Sequence, residues 1–213
     1  MLVRKIIIIG SIAITAVILS GCIFQNKNTN STSNNNLNNA KETVVQDLKN
    51  GFSFIIPDKW VLEGKEDNAF NTVKNGSPMQ YFNFIQQKDR GVIFGPGITA
   101  SSFTIDQNLT AKDVANLAYD LKIADKITAG TDKCYSEGKE ITVAGMNAYY
   151  YIYDVTDFEI CNIATESSIS KTVIIKNTGN QNTLMLTLVA RDKNELNTLL
   201  PDFQKVLDSV KRQ

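Results

Sequence analysis

None of the 213 residues is histidine. That one absence removes Ser-His and Cys-His activation of a nucleophile, histidine acid–base catalysis, and the usual zinc and copper sites. Chemistry carried by carboxylates, by a Lys-Ser pair or by tyrosine stays open. Charge of one sign is also missing, because 22 basic residues face 22 acidic ones. Without a basic surplus the chain has no long-range attraction for nucleic acid or an anionic surface, and no nucleic-acid partner is expected. Cysteine is scarce, at three residues with none close to another. Only one long apolar run exists, Ile6 to Leu19, and its length of about 14 residues falls short of the roughly 20 that cross a bilayer as a permanent helix.

That run follows a short cationic start at Arg4-Lys5 and ends in Leu19-Ser20-Gly21-Cys22. The layout is that of a secretory signal, and its end resembles the lipobox of prokaryotic lipoprotein precursors. Small residues before the cut fit a peptidase groove, and only a thiol carries the thioether-linked lipid. Cys22 is therefore expected to be the lipidation site and first residue of the mature chain, with retention of the signal as an uncleaved anchor the second choice. Loss of Arg4 and Lys5 with the signal leaves 20 basic against 22 acidic residues, a net −2. From Gln25 to Asn39 the chain is nearly all amide, hydroxyl and lysine residues, too polar to offset the entropy of ordering it. It reads as a tether with a root-mean-square reach of about 20–25 Å. The expected organisation is a signal over 1–21, a tether over 22–42 and one domain over 43–213, on the extracytoplasmic face of a cell membrane.

The remaining stretch of about 170 residues is long enough for one full core and too short for two ordinary domains. Phe52, Phe54 and Ile56 alternate with Ser53 and Ile55, the period of a strand. Pro57 ends ladder pairing, and Trp60 is expected in a turn or short helix. Residues 78–88 form a second strand, and residues 92–105 either a third alone or a third and fourth divided at Gly95-Pro96-Gly97. At Leu109 to Ile123 the period changes. Thr110 with Asp113 resembles a capping box, and Val114, Leu117, Ala118 and Leu121 share a face, predicting an amphipathic helix of about 12 residues. Residues 139–156 read as two strands folded at Ala144-Gly145, and residues 170–190 as a hairpin turning within 177–182, with Leu184, Leu186 and Leu188 facing the core. From Asp192 a helical stripe runs through Leu196, Leu199, Leu200, Phe203, Val206, Leu207 and Val210, with a kink or break expected at Pro201. Hairpins with helices inserted mid-chain and at the end, and no strand-helix-strand alternation, predict an α+β domain with an antiparallel sheet.

Gly51, Phe52, Phe54, Pro57 and Trp60 at the domain start, with Phe203, Leu207 and Ser209 in the last helix, resemble the PsbP family. These are extrinsic proteins of the photosystem II oxygen-evolving complex and their non-photosynthetic prokaryotic relatives, similar in fold to a nuclear-import factor that binds the GTPase Ran. The resemblance spans roughly residues 43–211. It implies an antiparallel sheet of six or seven strands sandwiched by helices (α/β/α). Photosynthetic activity is not implied, since fold alone does not carry function and the histidines that photosynthetic members use are absent.

Cys134 and Cys161 are the thiols left after lipidation. In an oxidising setting they would pair, closing a loop of about 27 residues worth roughly 3–4 kcal/mol in the chain-entropy model; in an anaerobic host they would stay thiols. Tyr149, Tyr151 and Tyr153 share one strand face, which is either an aromatic platform for a partner or ligand or a half-wet face under a helix. Asp154, Asp157 and Glu159 offer oxygens for calcium, but their spacing matches no EF-hand loop and solvated loop carboxylates are the plainer account. Gly95-Pro96-Gly97 lacks the lysine and spacing of a phosphate loop and reads as a bend. Asn30, Asn75 and Asn108 begin Asn-x-Ser/Thr sequons, which matter only where the host glycosylates asparagine. No cofactor is expected. The function expected is non-catalytic binding to, or assembly of, a membrane complex, with the membrane itself held through the lipid on Cys22. The alternative is an envelope small-molecule-binding protein or enzyme using carboxylate or tyrosine groups, for which a pocket of several hundred cubic ångströms with convergent carboxylates would speak.

Overall fold

A computed structural model describes residues 42–47, 50–92, 95–118, 135–154 and 168–213. Among these residues ten strands and two α-helices follow in the order β1 (Thr43–Asp47), β2 (Phe52–Ile56), β3 (Trp60–Ala69), β4 (Met79–Gln86), β5 (Gly97–Thr104), α1 (Ala111–Leu117), β6 (Tyr135–Val143), β7 (Met146–Asp154), β8 (Ile169–Ile175), β9 (Asn182–Ala190), α2 (Lys193–Ser209) and β10 (Lys211–Arg212). The main sheet is seven-stranded and antiparallel in the order β3-β4-β5-β9-β8-β7-β6. A second, three-stranded sheet has the order β1-β2-β10. All described residues belong to one compact unit, 39–213.

Two apolar clusters divide along the faces of the main sheet. On one face Phe82, Phe84, Ile98, Ala100, Val173, Leu184, Leu186 and Leu188 meet the small sheet through Phe52, Phe54 and Ile56, and meet α2 through Leu196, Leu199, Phe203, Val206 and Leu207. Phe54 stands edge-on to Phe84 at 6.4 Å between ring centroids, a favoured aromatic geometry. On the other face Met79, Phe103, Ile174, Tyr149 and Tyr151 pack beneath Ala111, Val114 and Ala115 of α1. The sheet is thus covered on both sides, and strands such as β8, with Val173, Ile174 and Ile175 all buried, are apolar on both faces.

Several sequence expectations are corrected here. Trp60 opens a strand instead of lying in a turn or helix, because the chain reverses before it: Trp60 N–H donates to Pro57 O at 3.3 Å, and Lys59 takes the left-handed conformation that closes the turn. The stretch around Gly95-Pro96-Gly97 leads into a single described strand, β5, with residues 93–94 outside the described residues. Helix α1 keeps the expected capping box, in which Asp113 N–H donates to the Thr110 hydroxyl at 3.1 Å. It is shorter than expected, because Ala118 turns to extended backbone and bridges Val73. Pro201 does not break the last helix into two: α2 runs on through it. The proline is on the exposed side, where the carbonyl of exposed Asn197 that loses its partner can turn to water, while Leu196 and Leu199 before it and Phe203, Val206 and Leu207 after it anchor both halves.

Candidate functional site

Two turns meet where β2 crosses from the small sheet to β3 of the main one. In Pro57-Asp58-Lys59-Trp60 the third residue has φ +77°, a position where a turn of this kind ordinarily takes glycine or asparagine. Lysine there costs about 1–2 kcal/mol of backbone strain. The turn is fastened to its neighbour by Gln87 N–H, which donates to Lys59 O at 2.7 Å. Gln87 begins the short 3-10 turn Gln87–Asp89 that ends β4. Between these two turns opens a cleft of about 390 Å³ lined by Lys59, Gln86, Gln87 and Lys88. Gln86 is buried at 8 % exposure while Lys59, Gln87 and Lys88 are exposed. Neither lysine forms an ion pair among the described residues.

Two carboxylates of the same neighbourhood, Glu195 and Asp192, are engaged elsewhere. Arg191 donates through Nε to both Glu195 oxygens at 3.1 Å and through its backbone N–H at 2.8 Å, and these bonds hold the Glu195 carboxyl below its usual range, with a smaller contribution from Lys88. Asp192 caps α2 by accepting from Glu195 N–H at 2.9 Å. Asp89 sits in the field of Arg191, and its buried Oδ2 has no hydrogen-bond partner among the described residues. The first residue of β1, Thr43, pairs with Ile56, the residue that leads into Pro57. The cleft therefore lies at the end of the domain where the N-terminal chain joins it.

The expected site residues fall elsewhere. Cys22, Cys134, Cys161, Asp157 and Glu159 lie outside the described residues. Tyr149 and Tyr151 are 3 % and 2 % exposed, so they form no open platform; α1 docks on them, and they belong to the core. Tyr153, on the same face, is half-buried. Asp154 accepts Lys193 of α2 in an ion pair at 3.1 Å. Among the described residues no three His, Cys, Asp or Glu side chains come together to hold a metal ion. Of the family-like motif, Trp60 Nε1 donates to Asp202 at 3.2 Å and the Ser209 hydroxyl accepts from Ile55 N–H at 2.8 Å. These two bonds fasten β2 and β3 to α2, a structural office. Asn75 and Asn108 are exposed. Lys59 and Lys88 escaped notice in the sequence; the one signal was a lysine at the third place of a Pro-Asp-Lys-Trp turn.

No protein-family model and no curated protein matches the sequence. Among solved structures, the cyanobacterial PsbP (CyanoP) of Synechocystis shares 14 % identity over 85 % of this chain and 98 % of its own, with a TM-score of 0.52. LpqN of Mycobacterium tuberculosis, described as involved in cell envelope biogenesis, shares 20 % identity over 80 % of this chain and 90 % of its own, at a TM-score of 0.48. The Ran-binding protein Mog1p of Saccharomyces cerevisiae shares 11 % over 82 % and 96 %, at 0.47. The molecule is an α+β domain with a main antiparallel sheet covered on both faces. Its fold is the PsbP-like one, as the motif residues implied.

Proposed function

We propose that the chain is a lipid-anchored, extracytoplasmic, non-catalytic binding domain that docks onto or helps assemble a membrane complex. The observation that carries this reading is the way the N-terminus is joined to the domain. A lipobox-like Leu19-Ser20-Gly21-Cys22 is followed by an amide-rich stretch, and the chain enters the fold at β1, whose five residues pair with β2 from Thr43↔Ile56 to Asp47↔Phe52. Such a strand transmits the position of an anchor to the whole domain. The PsbP-like fold supports the binding half of the reading, since a cyanobacterial PsbP shares it. Cell-envelope placement rests on the signal and Cys22.

The experiment is cross-linking and affinity recovery of the tagged full chain from detergent-solubilised membranes of its host, alongside a Cys22→Ser control. Mass spectrometry of the mature N-terminus goes with it. A thioether lipid on Cys22 and repeated recovery of the subunits of one membrane complex are expected. An unprocessed N-terminus overturns the anchor, and recovery of no partner overturns the docking role.

A small-molecule role is favoured by one observation, the cleft of about 390 Å³, a volume within the range of ligand sites. Its lining is the reverse of the convergent carboxylates an acid–base enzyme would need: two lysines and two glutamines.

A further inference from the structure

We infer that the cleft between the Pro57–Trp60 and Gln87–Asp89 turns binds a phosphate group, with Lys59 and Lys88 as its cationic arms. Three features point there independently. The described residues that line it are two lysines and two glutamines with no carboxylate among them, so its polar groups include two ammonium and two carboxamide donors. Both lysines lack an ion-pair partner among the described residues, whereas nearby Arg191 and Lys193 are each paired, with Glu195 and Asp154. Lys59 is held at φ +77°, and residues kept in sparsely populated backbone conformations gather at ligand clamps. A fold seeking only stability would place glycine or asparagine at that turn position.

Phosphate is the anion this lining suits, because it has enough oxygens to take donors from both turns, and lysine serves it as a point charge. The carboxylates around the cleft do not fill the place. Glu195 is taken by Arg191, Asp89 lies in the field of the same arginine, and Asp58 is exposed on the turn itself. Two sources supply the group: a phospholipid headgroup at a membrane, or a free phosphate compound. The cleft lies at the end where the N-terminal chain joins, so a headgroup is the nearer source if Cys22 is anchored. That arm rests on the anchored reading above; the phosphate chemistry does not.

The test uses the full chain in neutral-detergent micelles. Inorganic phosphate is titrated by calorimetry, and the thermal midpoint is recorded with micelles doped with phosphatidylglycerol or, as the phosphate-free control, diacylglycerol. Lys59→Gln and Lys88→Gln are each expected to weaken binding roughly tenfold, the size of one lost charge-assisted hydrogen bond. Lys59→Gly is expected to lose the same binding while folding at least as stably as the parent, so failure to fold cannot explain the loss. Binding of both probes, reduced in the variants, assigns the site to phosphate from either source. Binding of phosphatidylglycerol alone, reduced in the variants, assigns it to a headgroup. Absence of binding to both probes, or binding undiminished in the double glutamine variant, overturns the inference. Recovery of a protein partner has no bearing on these readings, so the two proposals fail separately.

Discussion

Replacing Lys59 by glycine should stabilise the domain. Lys59 has φ +77°, in the left-handed region that costs a residue with a Cβ about 1–2 kcal/mol. Its side chain is exposed and makes no ion pair among the described residues, so little packing is lost with it. Glycine relieves the strain but makes the unfolded chain freer, a loss of about 0.4–1 kcal/mol. The net gain is about 0.5–1 kcal/mol, which for a domain of this size raises the thermal midpoint by about 2–3 °C. Alanine keeps the Cβ and the strain, so Lys59→Ala should change the midpoint by less than Lys59→Gly. Thermal unfolding followed by circular dichroism on the three proteins decides it, since the backbone hydrogen bond from Gln87 to Lys59 O is kept in each. A glycine variant no more stable than the alanine one would refute the argument that this turn carries strain.

The buried tyrosines should behave as core and not as a docking face. Tyr149→Ala and Tyr151→Ala, each removing a side chain at most 3 % exposed, are expected to cost about 3–5 kcal/mol in denaturant unfolding, and a loss under 1 kcal/mol would show that α1 does not seal that face. Pro201→Ala should gain about 1–3 kcal/mol, because it restores a donor to an exposed turn inside α2 and replaces the poorest helix former by the best; an unchanged denaturation midpoint would mean that the proline is already accommodated without cost. Glu195 titrates below its usual range because Arg191 donates to it. Its contribution is therefore present above the unfolded carboxyl pKa and lost as pH falls through the lower folded value. Glu195→Gln should flatten the acid limb of a stability–pH curve and leave the neutral region with less effect, and an unaltered acid limb would exclude the pair as a source of acid sensitivity.

Elements with strict apolar alternation were readable from residues alone. Leu184, Leu186 and Leu188 are at most 1 % exposed, and the hairpin at Ala144-Gly145 has both residues at positive φ, as its tight turn demands. Strand β3 was unreadable because it is an edge. Its sequence WVLEGKEDNA has four charges and two shifts of register against β4, the devices that keep an edge strand from pairing further, and they erase the alternation that announces a strand. The small sheet was hidden for a different reason. Its β10 is only Lys211–Arg212, two exposed residues that pair with Ser53 and Phe52, and nothing in so short a stretch distinguishes a strand from the end of the preceding helix. The cleft needed tertiary structure, since its lysines come from separate turns joined by a backbone hydrogen bond. Tyr149 and Tyr151 were correctly placed on one face, but which faces of a two-sided sheet are covered depends on where α1 docks.

The near-zero net charge read from composition does not oppose a phosphate site, because it acts on a different part of the binding process. Net charge governs long-range encounter, whereas two lysines in a cleft, neither in an ion pair among the described residues, act at contact, and the anchor proposed above would make encounter unnecessary. Under that proposal, a tether with the reach of about 20–25 Å expected from the sequence of Gln25–Asn39 would hold the domain at a millimolar effective concentration of headgroups. A cleft with only millimolar intrinsic affinity would then be substantially occupied on the membrane while binding little phosphate in dilute solution. Lengthening the tether about fourfold should lower that effective concentration roughly eightfold, by the −3/2 power of length. Headgroup occupancy, read by cross-linking from Lys59 to labelled phosphatidylglycerol in reconstituted vesicles, should fall accordingly, and the affinity for inorganic phosphate should stay as it was. A fall in both would mean that the longer chain disturbs the domain. Constancy of both would mean that headgroups reach the cleft without help from the anchor, and the tether would then need another purpose.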